Sequence, residues 1–590
     1  MNEPTRLFDC IEQQLQKKAT HAIVAAKENG SWKEYSIQEL SETVNQLSAG
    51  LLKMGLGSGD RTPEGRDKIA VIAKNRPEWL ILDLAVQQIG AVLTPVYPTI
   101  SESELEYILQ DAQVKIMFVN DSSLAEKVNG IRSGVPCLRE IYSFEKAEGV
   151  KYWKDVLTAD AAALQQAAEV AAQIQYEDLV TIIYTSGTTG KPKGVMLSHR
   201  NIVSNVNASM PYFPPGNRAL SFLPMNHIFE RMVTYLYLFK GVSIYYAESM
   251  ETIGDNLKEV KPHMFTTVPR LLEKVYERIM TKGDELTGIK RKLFFWANDL
   301  AEKFEINRSK GFLYNFQLGL ANKIVFSKWR EGLGNELNAI ISGGAACPIK
   351  LIRIFTAARI IIMEGYGLTE TSPVISVNRY DAADRMIGSV GPLVEGVSVK
   401  IAEDGEIWCK GPNIMMGYYK LPELTAESIE DGWYKTGDIG MIIDKKFLKI
   451  TDRKKEMFKT SGGKYVAPLA VEMKLRESPY IEAIMVIGAG EKYVGALIIP
   501  SFSHLADWAK RQNISYSSNE EMIQDARVKQ LLKNEVETYN QHFSHVEQIK
   551  KFELLARDWS VETGELTPKL SLKRKVIMEK YKEAVRRIYA

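Results

Sequence analysis

In the stretch YTSGTTGKPKGV (residues 184–195), six consecutive positions hold only threonine, serine or glycine: Thr185, Ser186, Gly187, Thr188, Thr189 and Gly190. Lys191 and Lys193 follow. Glycines let a backbone approach a bulky anion closely, amides and hydroxyls donate to phosphate oxygens, and lysines supply charge. A Walker A loop would need Gly-Lys-Ser/Thr running straight into a helix. Here Pro192 follows Lys191, and GVMLS then has the texture of a strand. A strand–loop–strand phosphate grip is the expectation. An ordinary polar turn rarely runs this long on three residue types. The second stretch able to do chemistry is GYGLTET (residues 365–371), which follows the apolar run RIIIME. That order places it at the C-terminal end of a strand, where α/β proteins bind ligands. Tyr366 can stack on adenine, Thr369 can bond a phosphate, and Glu370 offers a hard oxygen to Mg2+. Taken alone, Thr369 and Glu370 would more often begin a helix.

These stretches are not isolated. YTSGTTGKPKGV resembles the signature loop of the adenylate-forming superfamily, which includes acyl-CoA synthetases, peptide-synthetase adenylation domains and firefly luciferase. GYGLTET, GEIWCKGPNIMMGYYK, YKTGDIG and DRKKEMFKTSGGKYVAP follow in the order that the family shows. The joint run DGWYKTGDIG…LKITDRKKEMFK is similar to the long-chain fatty acid–CoA ligase subgroup in particular.

The resemblance implies a set of roles. The phosphate loop, with Lys191, and the group Tyr366, Gly367 and Thr369 would hold ATP, and Thr185 with Glu370 would stand on the metal side. Gly343, Gly344 and Ala345, in SGGAAC, would form a small wall beside adenine. Asp438 would take the ribose hydroxyls, because a carboxylate can accept two bonds. Arg453, Lys455 and Lys459 would serve from a hinge, with Lys459 and the neighbouring glycines turned toward CoA in the second half of the reaction. His227, in LPMNHIFE, resembles the residue near the reacting carboxylate, although a lone histidine beside Pro and Phe also reads as structural. One departure stands out. The subgroup carries a segment like Leu-Thr-Pro-Thr-x-Lys near its C-terminus, whereas this chain has LTPKLSLKRK, with Ser571 where that lysine belongs. Lys569 is the first candidate to replace it and Lys573 the second.

The elements that must position these residues follow from local pattern. IAVIAKN, AVLTPVYP and VKIMFVN have the apolar texture of strands, separated by the helical patterns PEWLILDLAVQQIG and ELEYILQDA. That alternation predicts a largely parallel, helix-covered sheet, and LVTIIYT, RALSFLP, HMFTTVP, LNAIISG and RIIIMEG continue it. Beyond about Val390 the texture turns to Gly-punctuated hairpins, and then to an α+β pattern. The expected fold class is α/β: a large multi-layer N-terminal domain with a small β-subdomain over residues 1–451, and a small mobile α+β domain over residues 452–590.

The chain has 590 residues, 75 Lys+Arg against 73 Asp+Glu, and four scattered cysteines. The charge balance gives no nucleic-acid signature, and isolated cysteines read as reduced thiols of a cytosolic protein. The N-terminus lacks an apolar signal region, and residues 232–247, broken by Lys240 and Gly241, read as buried core rather than a membrane span. His542 and His545 read as solvent-facing residues of a helix.

The implied reaction is ATP-dependent formation of an acyl-adenylate, then acyl transfer to CoA with release of AMP. Between Arg270 and Gly334 lies a helical insertion typical, within the family, of long-chain enzymes. Residues 290–330 hold nine Lys/Arg against three Asp/Glu, interleaved with aromatics. This is either a surface for peripheral contact with an anionic membrane or a solvated helical face. Two other functions stay open: a fatty acyl-AMP ligase that loads a carrier protein, and a silent acyl or nucleotide sensor.

Overall fold

The computed structural model describes the chain apart from residues 1–4, 19–20, 186–190, 309, 561–562 and 568–571. Contacts divide it into two compact units. The first comprises residues 1–344, 353–399 and 409–435, and the second residues 345–352, 400–408 and 436–590.

The first unit is built on two eight-stranded sheets. One sheet runs, in spatial order, Val374–Val377, Ile361–Gly367, Ala339–Ser342, Met264–Thr267, Arg218–Ser221, Ser243–Tyr246, Val24–Glu28 and Ser31–Tyr35. Its inner pairs are parallel, and only the two outermost strands run antiparallel. The other sheet runs Gly417–Tyr418, Lys193–Ser198, Leu179–Thr185, Val92–Pro95, Lys68–Ile72, Val114–Val119, Glu140–Ser143 and Lys151–Tyr152. Lys68–Ile72 is buried on both faces: Ile69 and Val71 enter one core cluster, Ala70 and Ile72 another. Such a strand reads as a continuous apolar run because side chains alternate between two dry faces.

Helices Pro77–Gln88 and Ile228–Lys240 are buried almost all round and share one core with residues of both sheets. Pro77 occupies the first turn of its helix, and Gly90, at φ +69, lies just past its end, the usual asymmetry of start and stop residues. Residues 232–247 form the rest of the second helix and the strand Ser243–Tyr246. Among the described residues no helix is long and apolar enough to cross a membrane. None of the four cysteines is in a disulfide among the described residues.

The expected Gly-punctuated hairpins form a five-stranded sheet of Ser398–Ile401, Glu406–Lys410, Trp433–Ile443, Ile429–Glu430 and Phe447–Arg453. In the second unit, strands Ile481–Ile487, Val494–Pro500 and Ile549–Leu554 form a sheet with its own two core clusters, into which helices Pro468–Leu475, Ala526–Asn540 and Lys582–Tyr589 pack. His542 and His545 are exposed as expected, but they follow the helix Ala526–Asn540 rather than lying on it.

Candidate active site

The phosphate-loop stretch begins where the strand Leu179–Thr185 ends and Lys193–Ser198 begins, and the two strands pair antiparallel, with Thr185 opposite Lys193. Ser186, Gly187, Thr188, Thr189 and Gly190 lie outside the described residues. What holds the mouth of the loop is visible. Gly194 leaves no room for a side chain, since a Cβ there would meet Ile182 at 2.6 Å. On the loop side Lys191 is exposed over the Tyr107 ring. The Thr185 hydroxyl is buried and has no hydrogen-bond partner among the described residues. A buried hydroxyl left in that state costs free energy and is set to bond an incoming oxygen or cation.

Glu370 stands on the single 3-10 turn Thr369–Thr371, after the strand Ile361–Gly367, and only 7 % of it is exposed. A Cβ on Gly367 would meet the Pro373 carbonyl at 1.8 Å, so the strand can turn there only with glycine. The turn is held from two sides. Met415 N–H donates to Glu370 O at 2.9 Å, and Asn413 Nδ2 donates to Thr371 O at 3.0 Å. From the helix His199–Ser209, Asn205 clasps the Val374 backbone at 2.7 and 3.0 Å, while Asn201 donates to Pro412 O and Ile414 O. The Glu370 carboxylate meets Lys193 Nζ at 3.3 Å and accepts from Tyr418 Oη at 3.0 Å. Lys193 Nζ donates to that same hydroxyl at 2.5 Å and lies 3.9 Å from the centre of the Tyr418 ring. Burial, and then the charge of Glu370, push the Tyr418 phenol far above the usual tyrosine range, so it stays protonated and donates. Tyr434 Oη is 3.4 Å from it. The phosphate-loop strand and the GYGLTET turn therefore meet through Lys193. Sequence reasoning gave no role to Tyr418 or Tyr434, and their signal was the GYYK and YKTGDIG stretches that already matched the family.

His227 caps the helix Ile228–Lys240, its Nδ1 accepting from Phe229 N–H at 3.1 Å. That bond leaves the ring proton on Nε2. The preceding residues are pinned by Asn75, which donates to Leu223 O and accepts from Met225 N–H. Gly343 closes on this region, and a Cβ there would meet the Phe229 ring at 3.2 Å. Gly344, at φ +79, takes the left-handed turn that glycine tolerates best. Ala345 is exposed. Tyr366 and Gly367 end their strand, and Thr369 is buried beside Glu370.

A buried network couples these elements. Arg231, on the His227 helix, meets Asp83 of Pro77–Gln88 through Nε at 3.0 Å and also through Nη2, and both side chains are wholly buried. Tyr235 donates to the same carboxylate, and Arg231 Nη1 donates to Thr181 on the strand that leads to the phosphate loop, at 2.8 Å. An ion pair so buried adds little net stability, because desolvation offsets the attraction, while loss of one partner costs about 3–5 kcal/mol.

In the second unit Asp438 is buried and lies opposite Arg453 on paired strands, with Arg453 Nε 3.3 Å from its carboxylate. Gly437, at φ +74, and Thr436 shape the turn: Gly437 N–H donates to Glu406 at 2.9 Å and Asp438 N–H to Thr436 Oγ1 at 3.1 Å. Lys454 is tied to Asp404 and Glu406, whereas Lys455 is exposed. Lys459 is exposed over the Tyr465 ring in the short hairpin Phe458–Lys459 and Tyr465–Val466. Lys573 caps the helix Arg574–Lys580, its N–H bonded to Glu565 O at 2.7 Å. Lys569 and Ser571 lie outside the described residues.

The AMP-binding enzyme family matches residues 11–419, and the AMP-binding enzyme C-terminal domain matches residues 456–590. The chain belongs to the AMP-binding enzyme family. It is 33 % identical over 571 residues to the long-chain-fatty-acid–CoA ligase FadD15 of Mycobacterium bovis, covering 95 % of this chain and 93 % of that protein. It is 30 % identical to the human long-chain-fatty-acid–CoA ligase 1, covering 95 % and 82 %. Among solved structures, the adenylation domain of a carboxylate reductase from Mycobacterium chelonae superposes with a TM-score of 0.75 at 20 % identity, covering all of this chain and 92 % of that one.

Proposed function

We propose that the protein is a long-chain fatty acid–CoA ligase that works through an acyl-adenylate. A fatty-acid carboxylate oxygen attacks the α-phosphorus of ATP, and pyrophosphate leaves. The CoA thiolate then attacks the acyl carbon, the acyl C–O bond breaks, and AMP leaves with that oxygen. The observation that carries this reading is the buried Glu370 carboxylate, held by Lys193 and Tyr418 beside the mouth of the phosphate loop. The substrate class rests on the long-chain ligases to which most of the chain is similar.

Both half-reactions depend chiefly on positioning and on neutralising phosphate charge. In this proposal the loop and Lys191 hold the phosphates, Tyr366 stacks on adenine against Gly343, Gly344 and Ala345, and Asp438 with Arg453 holds the ribose. Glu370 and the Thr185 hydroxyl would hold Mg2+, which supplies charge compensation for the leaving pyrophosphate. The donor set fits: Mg2+ takes one or two protein oxygens and fills its remaining positions with phosphate and water. Accordingly, no cluster of three or more His, Cys, Asp or Glu is needed, and none occurs among the described residues. Lys193, 3.3 Å from the Glu370 carboxylate, would give that carboxylate up to the cation and bond phosphate instead. Lys569, with Lys573 second, remains the proposed adenylation lysine.

In this reading the C-terminal domain, from residue 452, is mobile, and the enzyme works in the cytoplasm in peripheral contact with the inner face of an anionic membrane. CoA-dependent AMP release with acids of graded chain length tests the function. Turnover should rise steeply toward long chains. Release that requires a carrier protein instead of CoA would point to an acyl-AMP ligase, and absence of any acid-dependent AMP would point to a sensor.

A further inference from the structure

Two side chains converge on one of the two oxygens of the Glu370 carboxylate. Lys193 Nζ comes nearest to Oε1, at 3.3 Å, and the Tyr418 hydroxyl donates to that same atom at 3.0 Å. Oε2 accepts no hydrogen bond among the described residues. The lysine decides where the phenolic proton lies. An ammonium only donates, so its 2.5 Å bond to Tyr418 Oη takes a lone pair there and leaves the proton to Glu370. The phenol is itself fixed. Tyr418 is buried, its N–H donates to Thr425 Oγ1 at 2.9 Å, and its strand, Gly417–Tyr418, pairs with Lys193–Ser198. Three residues earlier, Met415 N–H holds the Glu370 carbonyl. One short segment thus grips both the main chain and the side chain of the same glutamate.

Lys193 and Tyr418 respond differently to an arriving cation. The charge of the lysine opposes it, whereas the neutral phenol can keep Oε1 while Oε2 becomes the ligand. A carboxylate held in this way offers a single oxygen. Mg2+ suits that offer, since it takes octahedral ligands at about 2.0–2.1 Å and few of them from protein. Ca2+ gathers about six to eight oxygens at about 2.3–2.6 Å and readily takes both oxygens of one carboxylate. To do so at Glu370 it would have to break the phenol's bond to Oε1. The buried hydroxyl would then lose its acceptor, which costs free energy.

We propose that Tyr418 is a specificity-determining residue: by holding Oε1 it limits Glu370 to ligation through one oxygen and makes the site favour Mg2+ over Ca2+. This role deepens the ligase reading, on which it rests, by naming the group that selects the metal accompanying ATP.

The test is calorimetric titration of the full chain with ATP, in Mg2+ or in Ca2+ and without acid or CoA, so that binding is read and not turnover. The wild type should bind ATP about tenfold or more tightly with Mg2+ than with Ca2+. Tyr418→Phe removes the hydroxyl and keeps the buried ring. It should shrink that preference about tenfold, mainly by tighter binding with Ca2+. Glu370→Gln should abolish the preference, because the metal-binding oxygen pair is gone. A Tyr418→Phe preference equal to that of the wild type would overturn the role, whether both affinities are kept or fall together; a parallel fall is what a merely structural residue would give. Equal affinity of the wild type in the two metals would overturn the selectivity as well. If Glu370→Gln keeps the full preference, Glu370 is not the ligand and the proposal falls with it. Each of these results leaves the ligase reading standing, since acid-dependent AMP release tests that reading separately.

Discussion

Glu370 and Glu230 are both buried acids, and they meet different partners. Glu370 lies against a lysine and a phenol, which hold its carboxylate in place. Glu230, on the helix that His227 caps, accepts only from the hydroxyls of Ser221, at 2.6 Å, and Thr266. Burial pushes its pKa up to about 7, an effect that the two hydroxyls only partly offset. A raised folded-state pKa means that the folded protein holds a proton which the unfolded chain has released. The stabilisation is therefore full below the ordinary glutamate range and lost as pH rises through about 7. Glu230→Gln should remove that loss, making the first unit more stable than wild type at pH 8 by roughly 1–3 kcal/mol, with little difference near pH 4. Urea unfolding at the two pH values checks this, and parallel curves for the two proteins would refute it. Sequence reading had no access to this residue. Ser221 and Thr266 belong to strands that the parallel topology brings beside the helix, and no local pattern records that proximity.

At the scale of elements, strands and helix starts were legible wherever the information is local. The alternating apolar runs, Pro77 at a helix start and the strand–loop–strand reading of YTSGTTGKPKGV all depend on neighbours within a few residues. The lysine that reaches Glu370 did not. Lys191 was the lysine expected to hold ATP, with no role given to Lys193, but pairing with Thr185 turns Lys193 inward, toward a glutamate far along the chain. The hinge proposal belongs to this scale. Strand Phe447–Arg453 is held at its end by Asp452, which is buried and accepts from Arg453 N–H at 2.6 Å and from Leu469 N–H at 3.3 Å. The exposed Lys455 then sits in the turn before Phe458–Lys459, where the proposed hinge would change its backbone angles. Lys455→Pro fixes one of those angles. It should impair thioester formation from supplied acyl-adenylate at least tenfold more than pyrophosphate exchange. Equal losses in the two half-reactions would count against a hinge at this turn.

For the whole molecule, five motifs in the family's order identified the superfamily, and the family match covers residues 11–419. The layered architecture was legible for the reason given by the strand Lys68–Ile72: two dry faces demand a continuous apolar run. The register of the adenylation lysine was not, because LTPKLSLKRK departs from the pattern at the position that matters, and Lys569 lies outside the described residues. The central claim is that the carboxylate itself is joined to the α-phosphorus before CoA attacks. It is tested by supplying a long-chain acid with oxygen-18 in both carboxylate positions, together with ATP, Mg2+ and CoA, and weighing the products. We expect AMP to carry one labelled oxygen and pyrophosphate none. Unlabelled AMP, or label appearing in inorganic phosphate alongside ADP, would contradict an acyl-adenylate route.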